Sequence, residues 1–234
     1  MTDAADVDHL LAPLPSGRHG LTREQVTRSQ RLRLLHAAIG VAGTHGYAAM
    51  TVSSVIARAS VSRKTFYEQF ADREHCFLAA CEVALQQALL GARRACAGDG
   101  TWPERVRSAL SWALESLAAR PIEARVAFVE VPTAGPRALA LRDRALRELA
   151  ALLSPGFDAA PAGAAIPPSM PLAVAGALVE LIGMRVRRDE LEHLPMLVPE
   201  LLFCTLAPFL GPVAAAAAAA ERPTDALVTG PASR

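Results

Sequence analysis

The chain is poor in the groups that most chemistry needs. Of its 24 cationic side chains one, Lys64, is a lysine, and aromatic residues make up 5% of its 234 positions. Four cysteines, Cys76, Cys81, Cys96 and Cys204, have no paired spacing, which excludes a disulfide framework or a Cys-x-x-Cys metal knuckle and predicts reduced thiols in a cytoplasmic protein. The six histidines are scattered, so no metal site is expected. No glycine-rich phosphate loop, nucleophile elbow or plausible carboxylate pair is present, and neither an enzyme nor a cofactor is expected. No segment alternates apolar and polar residues as a half-buried strand would, so the fold class is all-α. The N-terminus carries Asp3, Asp6 and Asp8 where a secretion signal would be cationic. The apolar runs 171–184 and 194–210 are short for a membrane span and contain Glu180, Pro195, Pro199, Glu200 and Pro208, so they read as buried helices.

What is present is unevenly placed. The formal net charge is +1, yet residues 16–75 carry nine cations (Arg18, Arg23, Arg28, Arg31, Arg33, Arg58, Arg63, Lys64, Arg73) against four anions (Glu24, Glu68, Asp72, Glu74). A basic N-terminal unit on a mildly acidic body suits a local polyanion-binding module.

The periodicity sets out a series of helices. Residues 1–20 are expected to be a disordered arm. Thr22-x-x-Gln25 fits a capping box at the start of a helix whose apolar stripe is Leu32, Leu35, Ile39 and Ala42, closed by Gly46. Thr51 caps a short second helix with Val52, Val55, Ile56 and Ala59 facing inward, and Ser62 caps a shorter third with Phe66 and Phe70 as its apolar pair. Asp72 opens a long linking helix over 72–97. Further helices are predicted at 103–120, 121–131, 137–153, 170–188 and 196–210, with a loose loop over 154–168 and a low-complexity tail over 212–234 in which 214–220 is frayed helix.

Two short helices joined by a tight turn form a reading head for DNA, because the first braces the second in the major groove. With Val52, Ile56, Val61, Phe66 and Phe70 as its small core, the pair leaves Ser62, Arg63, Lys64, Thr65 and Tyr67 free. Arginine and lysine donate to guanine edges or phosphates, and Thr and Tyr hydroxyls bond bases or backbone. The helix starts at Thr51 and Ser62 add amides that attract phosphate. Arg28 and Arg31 are placed to track the DNA backbone, and residues 18–23 to reach a minor groove.

Residues 38–81, AIGVAGTHGYAAMTVSSVIARASVSRKTFYEQFADREHCFLAAC, resemble the DNA-binding domain of the TetR repressor family. The matching marks are Gly46-Tyr47, Thr51, Ile56-Ala57, Val61-Ser62, Thr65-Phe66-Tyr67 with Phe70, and Asp72 followed by Arg73-Glu74. The resemblance implies Thr51, Ser62, Lys64 and Tyr67 as phosphate contacts and Arg63 and Thr65 as base readers. One departure stands out: the family usually has glycine where this chain has Ser60, which costs about 1 kcal/mol if a positive φ is kept there.

The layout implied is a helix-turn-helix domain over 21–71 and a larger helical ligand-binding and dimerisation domain over 72–211. The resemblance makes the last two apolar helices, with Leu178, Leu181, Ile182, Leu197, Leu201, Leu202, Leu206 and Phe209, a four-helix dimer interface. Trp112, Phe128 and Met184 are candidates to line an effector pocket, with Glu130 or Arg185 to orient a polar ligand group. The function expected is a homodimeric repressor released from a palindromic operator in double-stranded DNA by a small-molecule effector. The alternative is a helical adaptor or a regulator of this fold without a ligand response.

Overall fold

The computed structural model describes residues 22–221, so the predicted arm over 1–20 and the tail beyond 221 lie outside the described residues. Among the described residues there is no strand, and the all-α expectation holds.

The first unit is built by its caps. Helix α1 (Arg23–His45) begins at the capping box, where the Thr22 side chain accepts from the Gln25 amide and Gln25 returns the bond. It ends where Gly46, at φ 86°, turns the chain and donates to the Ala42 carbonyl at 2.8 Å. Helix α2 (Val52–Ala59) starts on Thr51, which shares a reciprocal cap with Ser54. Helix α3 (Arg63–Gln69) starts on Ser62, whose hydroxyl accepts from the Thr65 amide at 3.0 Å. Asp72 caps α4 (Arg73–Cys96) by accepting from His75. Met50, Val55, Phe66, Phe70 and Phe77 are buried together with Leu34 in the core of this unit. Burying a phenylalanine contributes roughly 1.5–3 kcal/mol, so this core outweighs strain in the turns around it.

The body follows as α5 (Trp102–Ala119), α6 (Pro121–Arg125), α7 (Pro136–Leu153), α8 (Gly156–Ala159), α9 (Met170–Arg187), α10 (Val198–Leu210) and α11 (Pro212–Ala220). Helix α6 runs on as a π turn (Val126–Glu130) and a 3-10 turn (Val131–Thr133), and a second 3-10 segment (Leu191–Leu197) leads into α10. Three ion pairs join α4 to α7: Glu74 with Arg137 at 3.5 Å, Glu82 with Arg144 at 2.5 Å, and Arg93 with Glu148 at 3.3 Å. All are partly exposed, so apolar packing carries the contact and the ions set its register.

Two segments expected to be loose are packed. Within 154–168, α8 brings Gly156 so close to the body that a Cβ there would stand 2.7 Å from the Trp102 ring, and Phe157 meets Phe209 edge-on at 5.6 Å. Residues 214–220 belong to α11, laid along α10, with Ala215 fully buried and the Arg107 guanidinium donating to the Ala218 carbonyl. Alanine both favours helix and permits close approach, so the tract extends the body.

The residues expected at a dimer interface pack in the chain's own core. Leu178, Ile182, Leu197, Leu201, Leu202, Leu206 and Phe209 are buried inside the single chain, and the half-buried Leu181 packs on the same core. Leu201, Leu202 and Leu206 have no exposed surface in the protomer, whereas Leu178, Ile182 and Leu197 keep a small one. The segment Leu191–Leu210 is long and apolar enough to cross a membrane by length and composition, as is Arg73–Cys96, but its leucines fill this core.

Burial decides thiol chemistry as well. The Cys76 and Cys81 thiols are pushed up to about 12 by burial, whereas Cys96 and Cys204 are half-buried. Native protein treated with a maleimide at pH 8 should therefore gain mass at Cys96 and Cys204 only, and at all four cysteines in denaturant.

Candidate nucleic-acid interface

The exposed side of α3 is the one its phenylalanines leave free. Phe66 and Phe70 point into the core with ring centroids 5.8 Å apart, while Ser62, Arg63, Lys64 and Tyr67 are exposed, Tyr67 at 52%. Thr65 is half-buried, and its hydroxyl shares a 2.9 Å bond with Ser62 Oγ. The structure thus brings Ser62, Arg63, Lys64 and Tyr67 onto one face. Lys64 sits 4.0 Å from Glu68, one turn on, and its side chain is 87% exposed, leaving the ammonium accessible.

Residues that the sequence reading passed over complete the face. The Arg63 guanidinium donates to Ser53 Oγ at 2.9 Å, tying the start of α3 to the first turn of α2. Ser54 accepts from both the Thr51 amide and the Thr51 hydroxyl, so Thr51 is held as well as exposed. The signal was available in Thr51-x-x-Ser54, a capping box with serine in place of the usual Glu or Gln. Arg28 is exposed on α1. Arg31 is half-buried: its guanidinium lies 4.6 Å over the Phe70 ring and donates to the Gln69 carbonyl.

The turn between α2 and α3 keeps the unusual backbone. Ser60 adopts φ 52°, ψ 49°, and the next amide, Val61, donates to the Ile56 carbonyl at 3.2 Å. Behind the head, Arg73 at the root of α4 donates to the carbonyls of Tyr47, Ala48 and Met50 and lies 5.1 Å over the Tyr47 ring. Tyr47 also packs against Phe77 at 4.6 Å, and burial raises the pKa of its phenol. The loop from α1 to α2 is thereby fixed to α4.

The candidate pocket residues have separate packing partners among the described residues. Trp112 packs on Gly91, where a Cβ would stand 2.0 Å from its ring. Phe128 lies against Gly183, Met184 is exposed, and Arg185 donates to Glu190 at 2.8 Å, which holds the Glu190 carboxyl below its usual range. Glu130, buried, faces the other way and accepts from the Tyr47 amide at 2.7 Å. Between the two units lies a shallow crevice of about 140 Å³ lined by Gly43, Pro121, Ile122, Arg125, Val186, Asp189 and Leu191. Among the described residues no His, Cys, Asp and Glu are grouped to hold a metal ion.

A basic helix-turn-helix stands at the root of a helical body. Residues 34–80 match the model of bacterial regulatory proteins, tetR family. The fatty acid degradation regulator FadR from Bacillus halodurans superposes with TM-score 0.67 at 19% identity, over 77% of this chain and 94% of that one. FadR from Bacillus subtilis, solved in complex with stearoyl-CoA, gives 0.66 at 18% identity over 77% and 98%. RolR, solved with resorcinol, gives 0.57 at 19% identity over 86% and 97%. A comparison with curated protein sequences gives no match. The family match thus covers the helix-turn-helix, and the chain as a whole shares the fold of these solved structures.

The left-handed Ser60 supplies a direct test of the turn. Replacing it with glycine removes a Cβ from a positive-φ position, so Ser60→Gly is expected to stabilise the protein by about 1 kcal/mol and raise Tm by about 2–4 °C in a thermal melt.

Proposed function

We propose that the protein is a homodimeric regulator that grips operator DNA with α3 and is released by a small-molecule effector. The single observation that carries the reading is the face of α3, where Arg63, Lys64 and Tyr67 stand exposed while Phe66 and Phe70 anchor the helix from behind. Arg63 and Thr65 are the base readers in this reading. Thr51, Ser62, Lys64 and Tyr67 hold phosphates, and Arg28 lies on the flank. Arg63, already bonded to Ser53, is ordered before DNA arrives, which lowers the entropy cost of docking.

Dimerisation uses the faces that the core leaves over. Leu172 and Met184 on α9, Met196 before α10, and Phe203 on α10 are exposed large apolar side chains on neighbouring elements. A second copy covering them places two reading heads on one duplex, and major-groove geometry then requires a separation of about 34–36 Å or a multiple of it. The stearoyl-CoA and resorcinol found in structures of the same fold support an effector held in the body. An effector that favours a mispositioned pair of heads lowers DNA affinity by the coupling free energy, typically about 1–3 kcal/mol.

Two measurements test this reading. In binding titrations against a duplex selected by the wild-type protein from a randomised pool, Lys64→Ala should weaken binding and reduce the salt slope by about one, while Tyr67→Phe should weaken it with little change of slope. Unchanged affinity in both variants counts against the assignment of α3. In sedimentation equilibrium, Phe203→Glu should convert a dimer to a monomer with its helical signal intact, whereas a dimer that persists places the interface elsewhere.

A further inference from the structure

Among the described residues Glu130 is the one carboxylate in the buried polar and charged set, and its partners lie in both units. Its oxygens accept from the Tyr47 amide at 2.7 Å and lie 3.9 Å from Arg125 Nε. It ends the π turn Val126–Glu130, closed by the Val131 amide donating to the Val126 carbonyl. π turns are rare, hold one residue more than an α turn, and occur mostly as single bulges at functional positions. The sequence supplies a cause: Pro132 has no amide, and in a regular helix its ring would meet the Phe128 carbonyl, which a widened turn avoids.

The same turn lies between the two cores. Val126 and Val131 are buried with the reading head, while Phe128 and Val129 pack on the core of the body. Phe128 is in tight contact with α9, since a Cβ at Gly183 would stand 3.3 Å from its ring. The other end of the segment is pinned, because a Cβ at Gly43 of α1 would stand 2.8 Å from the Ile122 carbonyl.

We propose that this π turn is a relay between the body and the reading head, in which Glu130 is the positioning residue. Here Glu130 holds Tyr47, which Arg73 and Phe77 join to the root of α4. When α9 shifts, Phe128 moves with it and carries the turn, so Glu130 leaves the Tyr47 amide and the α1–α2 loop is freed. The latch stands on this geometry alone; its effect on DNA rests on the function proposed above.

Hydrogen exchange at the Tyr47 amide, read by NMR on the full chain, tests the latch without DNA. Glu130→Ala should speed that exchange roughly tenfold or more relative to the α10 amides, and Glu130→Gln, which keeps an acceptor, should stay near wild type. Phe128→Leu, on the opposite side of the turn, should also speed it, with α10 as the internal reference. A latch serving only local structure would not respond to Phe128. Unchanged Tyr47 exchange in either Glu130→Ala or Phe128→Leu overturns the relay. On the selected duplex, Glu130→Ala should weaken binding roughly tenfold with the salt slope retained, since no phosphate contact is lost. Failure of the wild-type protein to select any duplex would defeat the DNA reading, while the exchange result would still decide the relay.

Discussion

The arrangement depends on one shared core, in which Phe66 and Phe70 from the reading helix meet Phe77 from the root of the linking helix beneath Leu34 and Met50. Because α3 and α4 bury their aromatic rings in the same place, the short helix cannot tilt without disturbing the long one. A seven-residue helix has little stability of its own. Here it borrows order from a 24-residue neighbour, and its outward side chains inherit a defined direction.

That constraint also explains how the two units communicate. The α1–α2 loop is held at Tyr47 by three different interactions: an arginine over its ring, a phenylalanine beneath it, and a carboxylate on its amide. The first two belong to the reading head and its stalk. The third comes from the body, some 80 residues later in the chain, and adds a buried polar contact between the units.

The helix-turn-helix was legible in the sequence because local rules determine it. Thr22, Thr51, Ser62 and Asp72 each announce a helix start, and Phe66 and Phe70 announce its buried side. Ser60 was legible as an exception, and the backbone kept the conformation that glycine would normally occupy. The body was less readable, because α9 and α10 are apolar nearly all round and periodicity cannot say which side meets the chain's own core. The leucines expected at a dimer interface pack in that core. Glu130 did carry a signal: a lone carboxylate in the apolar stretch 126–131 must find a donor when buried. Nothing local says that the donor is an amide 83 positions away.

Lys64 has a practical consequence. It supplies the chain's sole side-chain amine, and the fold projects that amine from the outer edge of α3 with almost no cover. Acylating reagents used for labelling or surface immobilisation will neutralise a cation on the very helix proposed to meet DNA. A fluorophore intended to leave that surface intact belongs instead on Cys96 or Cys204, at the far end of α4 and on α10.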